Sequence, residues 1–178
     1  MADVVHIDLA DGIATITLDS QHNRNALSNQ LVGELGDRLA QAEAAGARAV
    51  VLRHEGPAFC AGADLKERAA STGPLDSTPT VSVMRRLMET PRPTIAAVDG
   101  AVRAGGIGLM ASCDLVVVDR SVSFALTEVR IGVAAAIISV PILQRVPAGK
   151  IAAAMLTGEP FDAEHAREIG LVTHVTDD

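Results

Sequence analysis

Phe59-Cys60-Ala61-Gly62-Ala63-Asp64-Leu65-Lys66-Glu67 is the stretch that decides how the rest of this chain reads. Ahead of it, Ala49-Val50-Val51-Leu52-Arg53 is apolar and β-branched, the composition of a buried strand. Behind it, residues 64–70 are strong helix formers with a carboxylate in the first turn. The small residues Ala61-Gly62-Ala63 leave nothing bulky to hold a ligand away from the backbone. A strand that passes through such a turn into a helix points free N–H groups outward, which makes an anion or oxyanion site. The same pattern also serves as a tight turn whose small residues are there for packing.

A second segment has the same form. Thr94-Ile95-Ala96-Ala97-Val98 reads as a buried strand, then Asp99 to Gly108 is rich in glycine, and a helix is expected over Leu109 to Cys113. Gly106-Ile107-Gly108-Leu109-Met110-Ala111 also fits the GxGxxA pattern of a dinucleotide-binding turn, with Asp119 closing the next strand. The spacing opposes that reading. Only 13 residues separate Gly106 from Asp119, where about 20 are expected. The strand Asp114 to Val118 takes five of them, so no proper crossover helix is expected to fit.

A third segment supplies a carboxylate. Residues 121–126 alternate as a strand does and lead into Thr127-Glu128-Val129-Arg130-Ile131-Gly132. Glu128 is the only carboxylate between Asp119 and Glu159, in an otherwise apolar region. Burial there raises a carboxyl towards neutrality and suits it to general acid–base work. The competing reading is an ion pair with Arg130 or another arginine.

Composition narrows the classes. A chain of 178 residues carries one core, read here as one domain over residues 1–178. A net charge of −7, with no Trp and no Tyr, argues against a nucleic-acid surface and against an aromatic cage. The longest apolar run, residues 131–143, is interrupted by Gly132, Ser139 and Pro141 and is too short to span a bilayer. No basic n-region follows Met1, so a secretory signal is not expected and a cytoplasmic location is. Cys60 and Cys113 form no CxxC and read as buried thiols, and the five histidines lack ligand spacing, so no metal is expected. Arginine outnumbers lysine 13 to 2 in an alanine-rich chain, which suggests a GC-rich bacterial coding sequence.

Local patterns place the remaining elements. Val4 to Ile7 and Ile13 to Leu18 flank Asp11-Gly12 as a β-hairpin. Ser28 reads as the N-cap of a helix with Leu31, Leu35, Leu39 and Ala42 on its inner face and a Glu34–Arg38 pair outside. Residues 71–80 have the composition of a mobile loop, and Val81 to Glu89 forms a helix that stops before Pro91. Helices follow over 137–146, 150–156 and 163–169, with Gly158 and Gly170 at two of their ends and a last strand over 171–175.

Taken in order, RNALS, FCAGADLKE, AVDGAVRAGGIG, CDLVVV, TEVRIG and LTGEPFDA resemble the crotonase superfamily, the enoyl-CoA hydratases and isomerases, over nearly the whole chain. The resemblance implies an α/β fold with a ββα spiral core. It implies that the backbone N–H groups of Ala63 and Gly105 hold a thioester oxygen and that Glu128 is the catalytic carboxylate. Arg24, Ala26, Ala61, Asp64, Leu65, Gly106 and Gly108 are the implied contacts to substrate or coenzyme A. Arg24 is the one set against a CoA phosphate, with an ordinary surface arginine as its rival. The implied partner is an acyl-CoA thioester, with coenzyme A part of the substrate and no separate cofactor. The implied assembly is a homotrimer or a dimer of trimers.

Three departures from the family pattern matter. Two-glutamate hydratases carry their other glutamate where this chain has Gly108. Ala134-Ala135-Ala136 stands where relatives commonly have proline, which leaves that loop less rigid. The chain stops at Asp178, where relatives continue into C-terminal helices, so apolar surface is expected to be exposed. The resemblance implies an enoyl-CoA hydratase, with an isomerase of the same fold or a non-catalytic acyl-CoA binder as the alternatives.

Overall fold

The computed structural model describes residues 2–71 and 76–177. β1 (Val5–Ala10) and β2 (Ile13–Leu18) form the hairpin, in register from Val5↔Leu18 to Ala10↔Ile13. Asp11 and Gly12 both take positive φ, 53° and 78°, the two-residue turn whose twist matches its strands. In α1 (Asn29–Ala44) the Ser28 side chain accepts from the Leu31 N–H, and Leu31, Val32, Leu35, Leu39 and Ala42 are buried.

The Glu34–Arg38 pair does not form. Glu34 Oε2 accepts from the Val4 and Val5 N–H groups at 2.7 and 2.9 Å, and Arg38 donates to the Val5 carbonyl at 3.0 Å and to Asp3 at 2.8 Å. β1 is an edge strand, and its unpaired backbone groups offer charge-assisted bonds stronger than a solvated ion pair.

After the hairpin the chain repeats one unit three times. β3 (Ala49–His54) and β4 (Ala58–Cys60) lead to α2 (Leu65–Ala70) and α3 (Thr78–Glu89). β5 (Thr94–Val98) and β6 (Ala101–Arg103) lead to α4 (Gly105–Ala111). β7 (Leu115–Asp119) and β8 (Ser123–Ala125) lead through a 3₁₀ turn, Thr127–Ile131, to α5 (Ala136–Arg145) and α6 (Ala148–Thr157). β9 (Phe161–Asp162), α7 (Ala163–Glu168) and β10 (His174–Thr176) complete the order. Each unit gives its first strand to a six-stranded sheet, β1-β2-β3-β5-β7-β10, and its second to a four-stranded sheet, β4-β6-β8-β9. The chain therefore spirals between two sheets, the expected ββα architecture.

Several boundaries differ from the sequence reading. Of the loop expected over 71–80, residues 72–75 lie outside the described residues and Thr78 to Thr80 already belong to α3. Pro79 sits in the first turn of that helix, where its missing N–H costs no bond. The helix expected from Leu109 begins at Gly105, after the additional strand β6. A crossover helix does join β5 to its parallel neighbour β7, although it has only seven residues. β6 separates β5 from the glycines, so they do not form the single strand-to-helix turn of a dinucleotide site.

Both cysteines are free and buried, and burial pushes each thiol up to about 12. Ile131, Val140, Leu143 and Leu156 are exposed. No described helix is long and apolar enough to cross a membrane.

Candidate active site

The smaller sheet brings the two glycine-containing turns together. β4 and β6 run parallel, with Ala58 opposite Ala101 and Cys60 opposite Val102, so their ends deliver residues 61–63 and 104–105 side by side. The first turn is held from outside: the Ala61 N–H donates to the Arg24 carbonyl at 3.0 Å, and the Leu27 N–H donates to the Gly62 carbonyl at 2.7 Å. Gly62 has φ 90°, and a methyl placed on it would lie 2.8 Å from Ala104 Cβ and 3.3 Å from the Gly105 nitrogen. Ala104 itself is held at φ 48° and ψ −121°, an unfavourable backbone for a residue with a Cβ.

The consequence is two unused donors. Among the described residues the N–H groups of Ala63 and Gly105 bond to no acceptor. Gly105 is also the first residue of α4, where the helix dipole favours negative charge. Both residues line one cavity of about 740 Å³. Cys60 lies directly beneath, its Sγ 3.4 Å from the Gly62 nitrogen, but a thiol held near 12 is no nucleophile at neutral pH.

Glu128 lines the same cavity, in the 3₁₀ turn after β8. Its Oε2 is buried and has no hydrogen-bond partner among the described residues. Burial pushes the carboxyl above its ordinary value, outweighing the hydrogen bond from its own backbone N–H. The ion pair with Arg130 does not form; the Arg130 side chain packs over Gly158 instead. The other carboxylates on the cavity wall are occupied. Asp64 accepts from the Asn23 side chain and caps α2 through the Glu67 and Lys66 N–H groups, bonds that hold its carboxyl low, Asn23 foremost. Glu67 accepts from the Asn29 N–H, and Asp76 accepts from the Thr78 N–H.

The sequence matches the enoyl-CoA hydratase/isomerase family model over residues 8–178. The chain belongs to this family. A Thermus thermophilus protein provisionally named an enoyl-CoA hydratase is 39% identical over 170 residues, covering 92% of this chain and 67% of its own length. Enoyl-CoA hydratase domain-containing protein 3 of Rattus norvegicus is 36% identical over 171 residues. This chain covers 57% of that relative, a little over half its length. An enoyl-CoA hydratase structure from Mycobacterium avium superimposes with TM-score 0.88 at 45% identity, over all of this chain and 72% of that one.

Within this family fold, the residues singled out from the sequence divide into two groups. Ala61, Ala63, Asp64, Leu65, Gly105 and Glu128 line the cavity. Arg24, Ala26, Gly106 and Gly108 do not. Arg24 is exposed, and its part in the structure is the backbone carbonyl held to Ala61. Ala26 is buried. Gly106 sits against β4, where a methyl would lie 2.7 Å from the Cys60 carbonyl oxygen. Gly108 faces α5, where a methyl would lie 2.4 Å from Ile138 Cγ2 and 3.2 Å from its Cα. Gly108→Ala is expected to lower stability by about 1–3 kcal/mol through overpacking. Gly33→Ala, whose methyl meets nothing within 4 Å, serves as the control in thermal melts.

Asn25 escaped the sequence reading. It is fully buried at φ 54°, its Oδ1 accepts from the Ser20 N–H at 2.6 Å, and its Nδ2 donates to the Glu55 and Ala58 carbonyls. Asparagine tolerates the left-handed region and bonds backbone locally, which was the available signal. Its two long-range bonds, to a turn 30 or more residues away, had none.

Proposed function

We propose that this site hydrates a 2-enoyl-CoA thioester. The N–H groups of Ala63 and Gly105 hold the thioester oxygen, and Glu128, as a carboxylate, accepts a proton from water. The water oxygen bonds to the β-carbon, and the π electrons move onto the thioester oxygen as an enolate. The enolate then collapses as the Glu128 carboxyl returns that proton to the α-carbon. One O–H bond and the C=C π bond break, one C–O and one C–H bond form, and no separate cofactor is required.

A single observation carries this reading: among the described residues, the unpartnered buried oxygen of Glu128 shares a cavity with two unpartnered backbone donors. Each donor of an oxyanion hole contributes about 2.7–4 kcal/mol to the transition state, and a positioned acid–base group contributes about 10²–10⁴ in rate. The apolar wall of Val32, Met84, Ile137 and Ile138 suits the acyl chain. For coenzyme A we keep Ala61, Asp64 and Leu65 at the turn, with Arg24 exposed at the surface for a phosphate.

A second reading is favoured by Gly108, whose surroundings leave no room for another carboxylate. One carboxylate moving a proton between carbons suffices for an isomerase. Incubating the purified protein with crotonyl-CoA and with a branched enoyl-CoA, then weighing the thioester, separates the functions. The hydratase adds the mass of water; an isomerase leaves the mass unchanged and moves the double bond. A thioester that is bound and returned intact is the non-catalytic result.

A further inference from the structure

His54 is buried at the end of β3, its side chain 1% exposed. Its Nε2 lies 2.6 Å from Asp99 Oδ1 and 3.3 Å from the Asp99 backbone nitrogen. A single ring nitrogen cannot donate to one and accept from the other, and the shorter contact places the proton on Nε2, donated to the carboxylate. Asp99 stands at the corner between β5 and β6 with its side chain 80% exposed. Next to it, a methyl on Gly100 would lie 2.7 Å from His54 Cε1 and 2.8 Å from the Pro57 carbonyl oxygen. The Ala101 N–H donates to that same Pro57 carbonyl at 3.1 Å. The two corners, β3 to β4 and β5 to β6, are therefore closed onto each other around one imidazole.

What lies downstream gives this closure its meaning. The β4–β6 pairing shifts register between Ala58 and Cys60, so Phe59 is the extra residue of a bulge. The Phe59 ring is fully buried and meets the His54 ring edge-on, centroids 5.7 Å apart at 87°. β4 and β6 have only three residues each, and they end at the turns that present the Ala63 and Gly105 N–H groups. Asn25 ties the same corner through the Glu55 and Ala58 carbonyls. With strands this short, the phase at which the chain reaches Ala63 is set at the corner.

We infer that His54 and Asp99 are positioning residues, which hold the two oxyanion N–H donors in register by latching the corners that feed them. The inference rests on the proposed role of Ala63 and Gly105. Neither residue touches the cavity, so their effect is through the backbone alone. Displacing a reacting group by about 1 Å costs about 10²-fold in rate, and a loosened corner is expected to cost less.

The test combines kinetics with the infrared carbonyl band of bound, carbonyl-labelled butyryl-CoA, a saturated thioester that cannot be hydrated. In the natural protein the band is expected at lower frequency bound than free, because two donors polarise the carbonyl. Asp99→Ala is expected to reduce that shift and to lower kcat on crotonyl-CoA about tenfold, with KM held within about twofold. Asp99→Asn, which keeps an acceptor for Nε2–H and loses only charge, is expected to restore both. Asp99→Ser, too short to reach the ring, should follow the alanine variant and covers the case in which Asp99→Ala does not fold. Natural band shift and kcat in Asp99→Ala, whatever happens to its melting temperature, would overturn the latch. Absence of any band shift in the natural protein would instead overturn the donor assignment, and the latch with it.

Discussion

Glu128→Gln is expected to lower turnover of an enoyl-CoA by about a hundred- to ten-thousandfold, the range for removing a positioned acid–base group. Acyl-CoA affinity should stay within about threefold, since glutamine keeps the size and polarity of the side chain. The same substitution is expected to raise the melting temperature. Burial lifts the Glu128 carboxyl in the folded protein above its ordinary value of 4.5, and among the described residues Oε2 has no partner to compensate the charge. Below pH 4.5 the group is protonated folded and unfolded alike, and burial costs nothing. As the pH rises through the folded value, the unfolded chain has already lost its proton while the folded chain must ionise an unpartnered group, so stability falls. The advantage of the glutamine variant should therefore grow from about pH 4.5 and level off above the folded value. In the natural protein the acid limb of kcat/KM should lie above 4.5, because hydration begins with the carboxylate. Melting curves and rates across this range check both. Full activity in Glu128→Gln would remove the residue from the chemistry.

The second large effect is expected at Gly62. Its φ of 90° is strained for any residue with a Cβ, and the added methyl would press on Ala104 Cβ at 2.8 Å and on the Gly105 nitrogen at 3.3 Å. Gly62→Ala should cost about 1–3 kcal/mol of stability. It should also push apart the segments carrying the two donors and lower kcat by about 10²–10³, the cost of one oxyanion donor. Gly149→Ala in α6, where the methyl meets nothing within 4 Å, should be neutral or slightly stabilising. A Gly62→Ala enzyme that melts lower but turns over normally would show that the contact is structural only.

The features that were legible in the sequence are those decided by neighbours along the chain. Asp11-Gly12 makes its hairpin from two residues that accept positive φ, and Ser28 caps a helix whose apolar spacing is its own. Glu128 was legible as an isolated carboxylate in an apolar stretch, the condition that leaves it unpartnered. The smaller sheet was not legible. β4 and β6 have three residues each, too few to show a period, and they exist because the sheet pairs them, whereas β8 lies inside the strand expected over 121–126. The start of α4 was missed for a related reason. Gly105-Gly106 reads as loop by propensity, yet the backbone is helical where Gly106 fits under Cys60 and Gly108 under Ile138. The long-range bonds of Asn25, the His54–Asp99 contact and the Glu34 bonds to Val4 and Val5 join residues 29 or more apart, and no local pattern announces them.

The stereochemistry of addition tests the central claim most directly. One carboxylate working from one side of the substrate has to give the α-proton to the face that receives the water oxygen. Crotonyl-CoA incubated with the protein in deuterium oxide should yield a 3-hydroxyacyl-CoA with one deuterium at the α-carbon, syn to the new hydroxyl, as read from its proton coupling constants. Deuterium on the opposite face, or scrambled between faces, would require a second proton donor and contradict a mechanism carried by Glu128 alone.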